Sequence, residues 1–414
     1  MQLIYKILAP VIICLLTKAA CCKTITVGKF PNISSIHKAL IIAVDGDTVL
    51  VNSGVYREGN ITINSSIVFI GINNPVLDGE NKFEILSIKS NHVTVAGFRL
   101  QHSGRSGIND IAGIKIYAAR NIFITNNLLD DTNFGIYTQY ANKCTIKNNR
   151  LISYGTQEMQ SGNGIHCFRS DSMLIIGNTI EGHRDGIYFE FVTNSMIWRN
   201  LSLSNVRYGL HFMFSHDNNY INNLFKNNDS GVAVMYSHGV KMFNNFFEEN
   251  WGDASYGILL KDISDSYIEG NHFFKNTIGI HMEGSSRIHL ERNEFIDNGW
   301  AIKIQASCDN NVVTRNNFLG NTFDIATNGS LVLNSFNGNY WDKYEGYDLN
   351  RDKVGDVPFH PLSIYSMIID QNPSALMLFR SFFVSLLDRS EKIIPTVTPE
   401  GLRDDHPLMH PSAL

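Results

Sequence analysis

The sequence predicts an all-β fold, a right-handed parallel β-helix built from coils of roughly 22 residues, with an N-terminal capping helix and a C-terminal helical docking segment. Three features carry this reading: self-similarity at a fixed period, alternation of apolar residues within each period, and one asparagine that returns in every period. The anchors are Gly113, Gly135, Gly164, Gly186, Gly209, Gly231, Gly257, Gly279 and Ala301, most of them 22 or 23 residues apart, with two longer intervals. Apolar residues follow each anchor at +1 (Ile114 through Ile302) and at most coils again at +3 (Ile116 through Ile304). A period of two is a strand, and it points these positions inward. A second strand follows, with inward pairs such as Ile122/Ile124, Met173/Ile175 and Ile288/Leu290.

Asparagine recurs at +14, at Asn127, Asn149, Asn178, Asn200, Asn223, Asn245, Asn271 and Asn293, and Asn316 continues the series. Identical amides stacked coil on coil form a hydrogen-bonded ladder, which satisfies turn groups that burial would otherwise leave unpaired. Apolar residues at +16, from Leu129 to Phe295, close a third wall. A helical repeat does not fit segments this rich in Asn, Gly and β-branched residues.

The chain divides into a leader (1–22), a cap with the leading coils (23–112), the regular repeats (113–337) and a C-terminal segment (338–414). Lys6, the apolar run Ile7–Leu16 and the small residues after it read as a secretory signal peptide. Residues Ser34–Val44 read as a short amphipathic helix that covers the open end of the core. Asn372 and Pro373 are placed to start a helix running to Lys392, apolar nearly all round at its centre. Two readings stand for it: a cap on the last coil, or a surface that docks to a membrane partner through Leu376, Phe379, Phe382, Phe383 and Leu386.

Apolar residues make up 43% of the 414, enough for a sizeable core, and the net charge of −5 comes without a polybasic block, so nucleic-acid binding has no support. Beyond the leader, Cys144, Cys167 and Cys308 occupy unrelated repeat positions, which argues against a disulfide framework. Cys144, Cys167, Met173, Met242 and Met282 fall on inward positions and read as core filler.

Outward positions +2 and +4 are where a site can form. Met213 and Met235 share +4 on adjacent coils, about 4.8 Å apart, and His211 lies at +2 beside Met213. His216 and His238 both fall at +7 and should stack. Thioethers beside imidazoles suit a soft ion, above all Cu(I), although outward histidines and methionines also occur as ordinary surface residues. Insertions at Ile152–Asn163 and Asn250–Tyr256 are expected to overhang this face. Asp348, Asn350, Asp352 and Asp356 space oxygen ligands as in a calcium loop, but Lys353 stands where glycine normally makes the turn. An acidic turn without metal is the equal alternative.

A glycan-active β-helix is the main rival. It needs carboxylates converging on one bond. Asp130-Asp131 and Ser237-His238-Gly239 offer such groups, but five coils, about 24 Å, separate them. A structural adhesin comes third.

The coil register resembles the copper-binding periplasmic β-helix family of nitrous oxide reductase maturation. The C-terminal segment carries the more specific resemblance: Asn339-Tyr-Trp-Asp-Lys-Tyr-Glu-Gly-Tyr-Asp-Leu-Asn-Arg-Asp352, Pro361-Leu-Ser-Ile-Tyr-Ser-Met367, Leu378-Phe-Arg-Ser-Phe-Phe383, Ser385-Leu-Leu-Asp-Arg389 and Leu402-Arg-Asp-Asp-His-Pro-Leu-Met409. The resemblance implies a non-enzymatic periplasmic component of an ATP-binding-cassette (ABC) complex at the inner membrane, helping to assemble the copper centres of nitrous oxide reductase. The implied partners are the transporter's permease and ATPase, a copper chaperone lipoprotein and the reductase. It supplies no ligand set, so the His/Met cluster rests on the residues alone. It adds weight to docking for the apolar helix.

Overall fold

Every full coil gives one strand to each of three parallel sheets, of 14, 12 and 13 strands. The computed structural model describes residues 22–28, 33–106, 108–329, 333–379, 381–384, 386–387 and 402–413. The signal-peptide reading therefore falls outside the described residues up to position 21. Sheet 1 begins at Thr24–Val27 and ends at Leu333–Asn337; sheet 2 runs from Ile61–Ile63 to Phe323–Thr327; sheet 3 runs from Val55–Tyr56 to Tyr340–Trp341.

The anchors and their +1 and +3 residues form sheet 2, in register from coil to coil, as in Ile187↔Leu210↔Val232. These side chains are fully buried. Glycine serves at the anchor because neighbouring coils nearly touch there. A Cβ on Gly209 would lie 2.7 Å from the Gly231 carbonyl oxygen and 2.9 Å from Phe225. The third wall stacks Phe225, Phe247, Phe273, Phe295, Phe318 and Trp341 face to face at centroid spacings of 4.0–5.4 Å.

The +14 asparagines form the expected ladder. Each side-chain Nδ2 donates to the next Oδ1 at 2.9–3.1 Å from Asn127 to Asn339. A second ladder, at the other side of the third wall, links Asn205, Asn228, Asn250, Asn276, Asn298 and Asn321 at 2.8–3.3 Å. Its asparagines recur at +19 from Asn205 to Asn298, and Asn321 continues the series after a one-residue insertion.

At the N-terminal end, helix α1 (Ile36–Ile42) starts at Ser35, whose side chain accepts from the Lys38 amide, and it buries Ile36 and Ala39 against the first coil. At the other end, residues 402–413 return to the last coil. Asp404 bonds the end of the asparagine ladder, and Ser412 and Asn317 exchange hydrogen bonds of 2.8 and 2.9 Å.

Helix α2 (Ile364–Gln371) starts at Ser363, and Tyr365 and Ile369 pack with Phe323 of sheet 2. The continuous helix expected from Pro373 to Lys392 does not form. Pro373–Leu378 is a tighter 3₁₀ helix, and the chain leaves helical geometry at Phe379 (φ −53°, ψ 134°). Proline supplies no amide to continue α2 and disfavours a helical residue before it, so Asn372 turns out at ψ 88°. Residues 382–384 and 386–387 are helical again, and 388–392 lie outside the described residues.

Candidate metal centre on the outer face of sheet 2

Sheet 2 points its +2 and +4 columns away from the core. The +2 column stacks Tyr137, His166, Tyr188 and His211, with ring centroids 4.4, 4.7 and 4.8 Å apart on successive coils. Although these residues face outward, His166 is only 7% exposed and His211 only 5%. Their own stacking, Phe134, and the Arg184 and Arg207 side chains enclose them. The insertion Ile152–Asn163 reaches the same face: Asn163 holds His166 Nδ1 at 3.2 Å, and Glu158 lies 3.8 Å from Arg207. Around Gly252 the insertion at Asn250–Tyr256 is bonded back to Thr277 of the next coil.

Asp185 sits under the column with no exposed side-chain surface. Arg207 grips it with two bonds of 3.1 Å, and the same guanidinium donates to His211 Nδ1 at 3.1 Å. Arginine offers only donors, so Nδ1 must accept and the His211 proton sits on Nε2. This arrangement leaves His211 no ring lone pair to give. His211 is thus held in the Asp185 network, and joining Met213 at a metal would require breaking its bond to Arg207. Burial, with the Arg184 charge second, pushes His166 down to about 3, so it stays neutral at physiological pH.

Met213 and Met235 do stand in register at +4, half-buried. The Tyr188 hydroxyl donates to Met213 Sδ at 3.6 Å. Burial and then Glu190 push the Tyr188 phenol up to about 12, which keeps that donor protonated. His216 and His238 stack as expected, 4.0 Å apart and 11° from parallel, one strand-turn from the thioethers. Burial, and next the neighbouring His238, lower the His216 pKa, favouring the neutral ring a metal needs. Among the described residues no three His, Cys, Asp or Glu gather into a metal-holding group.

The loop of Asp348, Asn350, Asp352 and Asp356 is exposed. Asp348 accepts from the Arg351 and Lys353 amides at 2.6 and 2.9 Å, and Asp356 accepts from Leu349 at 2.6 Å. Lys353 adopts φ 72°, the left-handed turn that a calcium loop assigns to glycine. Leu376, Phe379, Phe382, Phe383 and Leu386 are exposed, Phe382 at 84%. They stand at the C-terminal end of the face that carries the +2 and +4 columns, because α2 and Val384 pack on Phe323 of sheet 2.

Residues 151–346 match the family described as periplasmic copper-binding protein (NosD). A protein of Pseudomonas aeruginosa named probable ABC transporter binding protein NosD is 29% identical over 352 residues, covering 80% of this chain and 81% of its own length. The protein of the same name from Stutzerimonas stutzeri is 26% identical over 385 residues, covering 81% and 80%. The chain is similar to NosD proteins over about four-fifths of its length.

Among solved structures, the chain is similar to the A-module of the mannuronan C-5 epimerase AlgE6 of Azotobacter vinelandii. The TM-score is 0.54 at 14% identity, covering 73% of this chain and 92% of the module. That likeness shows the shared fold. The NosD match takes in the Asp185 network, both methionines and the stacked histidines, and it stops before the Asp348 loop and the apolar segment. The sequence reading had paired the methionines and the +7 histidines and had missed the Asp185–Arg207 core of the face. Its trace in the sequence is an Arg-Asp pair before one anchor, at 184–185, followed by Arg207 before the next.

Proposed function

We propose that this chain is a periplasmic accessory protein of an ABC-transporter complex that helps assemble the copper centres of nitrous oxide reductase by receiving Cu(I) and passing it on. The observation that carries the reading is the pair Met213 and Met235, in register on the outer face of sheet 2 in a chain that matches a family described as copper-binding. Two polarisable sulfurs one coil apart, beside two stacked imidazoles, suit a soft monovalent ion held only briefly. Copper is cargo here, and the chain does no bond-making chemistry. The partners are the permease and ATPase, met through the apolar segment from Leu376 to Leu386, a copper chaperone lipoprotein and the reductase.

No helix among the described residues is long and apolar enough to cross a membrane. The apolar segment is read here as a contact surface. The Asp348 loop is read as a calcium site that stiffens the last coil. Calcium titration of the wild type against Asp348→Ala tests it, and equal calorimetric traces would remove calcium from the account.

The deciding experiment is the copper content of nitrous oxide reductase from cells that lack this gene. Reductase that is present but short of a copper centre, and repaired by complementation, is the expected result. Fully metallated enzyme would overturn the proposal.

A further inference from the structure

Column +5, at the corner where sheet 2 turns toward sheet 1, carries Tyr140, Arg169, Phe191, Phe214 and Tyr236 on successive coils, all exposed. Each has a left-handed backbone, with φ between 45° and 54°. A bulky side chain is strained there, and asparagine or glycine is favoured. The corner at +13 follows that preference at Asn148, Gly177, Asn222 and Asn244. Beyond the stripe, the +5 residues are small or acidic: Ala118, Asp262 and Gly284. The turn itself therefore has no need of aromatic rings.

The five side chains form one stack. Phe214 lies 5.3 Å from Phe191 and 5.0 Å from Tyr236, within 15° of parallel. The Arg169 guanidinium fills the remaining rung, 6.0 Å from the Tyr140 ring and 5.5 Å from the Phe191 ring, with Phe168 at 5.4 Å. Among the described residues no carboxylate pairs with it. Met213 and Met235 immediately precede Phe214 and Tyr236, and His216 and His238 follow two residues later. Parallel stacking along the solenoid turns the ring faces toward each other and the edges outward. A sugar packs on a ring face, so the stack is poorly turned for glycans. Aromatic edges, thioethers and an arginine together have the composition of a protein–protein contact.

The methionines select the partner. Two neutral thioethers hold Cu(I) less firmly than thiolates do, so a better-liganded acceptor can strip them unaided. Loading them from a firm holder needs a docked complex, which raises the local concentration of the carried ion at the sulfurs. We propose that the stripe is the docking surface for the protein that delivers Cu(I) to Met213 and Met235, a protein that sets a carboxylate against Arg169. The choice of partner rests on the copper reading above.

The probe is the copper chaperone lipoprotein in detergent, metal-free and Cu(I)-loaded, titrated calorimetrically against this protein. Phe214→Asn with Tyr236→Asn should weaken association about tenfold or more, and Arg169→Gln about threefold. Cu(I) affinity of the chain alone, by chelator competition, should stay unchanged in both. Asparagine suits the φ of 50° and 52° at these positions, so the thermal midpoint should hold or rise. Met213→Ala with Met235→Ala should do the converse, lowering Cu(I) affinity while the metal-free chaperone still binds. A wild type without Cu(I) affinity that still binds the chaperone through the stripe would overturn the copper reading and leave the surface standing. Undiminished association in the asparagine variant overturns the proposal. So does a lowered thermal midpoint, which would make the stack a structural brace. So does a wild type that ignores the chaperone; self-association or binding to phosphatidylglycerol vesicles, lost in the same variant, would then name the occupant.

Discussion

The Asp404 carboxylate ends the asparagine ladder: Asn339 Nδ2 donates to it at 3.0 Å across 65 residues of sequence. The same carboxylate accepts from the Gly338 and Asn339 amides at 2.9 Å each and from Trp341 Nε1 at 3.1 Å. Every other rung passes its amide to a following coil, and the last rung has none. Asp404→Ala should strand these donors and destabilise the protein by about 3 kcal/mol or more. Asp404→Asn, which keeps one acceptor, should lose less. Urea unfolding midpoints decide it, and an unchanged midpoint in the alanine variant would show that the ladder needs no terminator.

That contact also determines how the apolar segment can be tested. Cutting the chain after Gln371 would remove Asp404 along with the segment, and so confound folding with docking. Phe382→Ser with Phe383→Ser leaves the cap in place and alters side chains already exposed to solvent. The double variant should unfold within about 0.5 kcal/mol of wild type. It should also fail to co-purify with the transporter. Retained co-purification would return the segment to a purely structural role.

For copper, Met213→Ala and Met235→Ala should each weaken Cu(I) binding at least tenfold in competition with a chromophoric chelator. His211→Gln should change it little, because His211 is already engaged by Arg207. Tyr188→Phe removes the hydroxyl that fixes the Met213 sulfur and should weaken binding severalfold. If the His211 variant lost copper and the methionine variants kept it, the assignment would be reversed.

Acid should weaken the fold through its buried histidines. Burial is the leading cause that pushes His166 down to about 3 and His183 to about 4. Unfolded histidine titrates near 6.5. Below that pH the unfolded chain takes up protons that the native state refuses. The contribution is therefore complete above about pH 6.5 and is lost as pH falls toward about 4. The loss is about 1.4 kcal/mol per histidine per pH unit in that window. Thermal melts from pH 7 to 4.5 should show a shallower slope for His183→Gln than for wild type. Equal slopes would mean that carboxylates carry the whole effect.

The sequence by itself determined the coil, the three walls and the +14 ladder. A period-two alternation repeated at each coil admits one register, and a slip by one residue would expose the whole core. The same repeat arithmetic placed Met213 over Met235 and His216 over His238, because residues at equal offsets must stack. It also showed which side chains point outward, but not which of them stay open to solvent. Tertiary structure decided that: His211 faces out and is nevertheless closed in by Arg207 and Asp185. It also decided that Asp404 terminates the ladder, and that the apolar segment breaks at Phe379 and shares a face with the methionines. These facts depend on loops and distant segments that meet only after folding. The spacing within a repeat carries no information about a partner that lies outside the repeat.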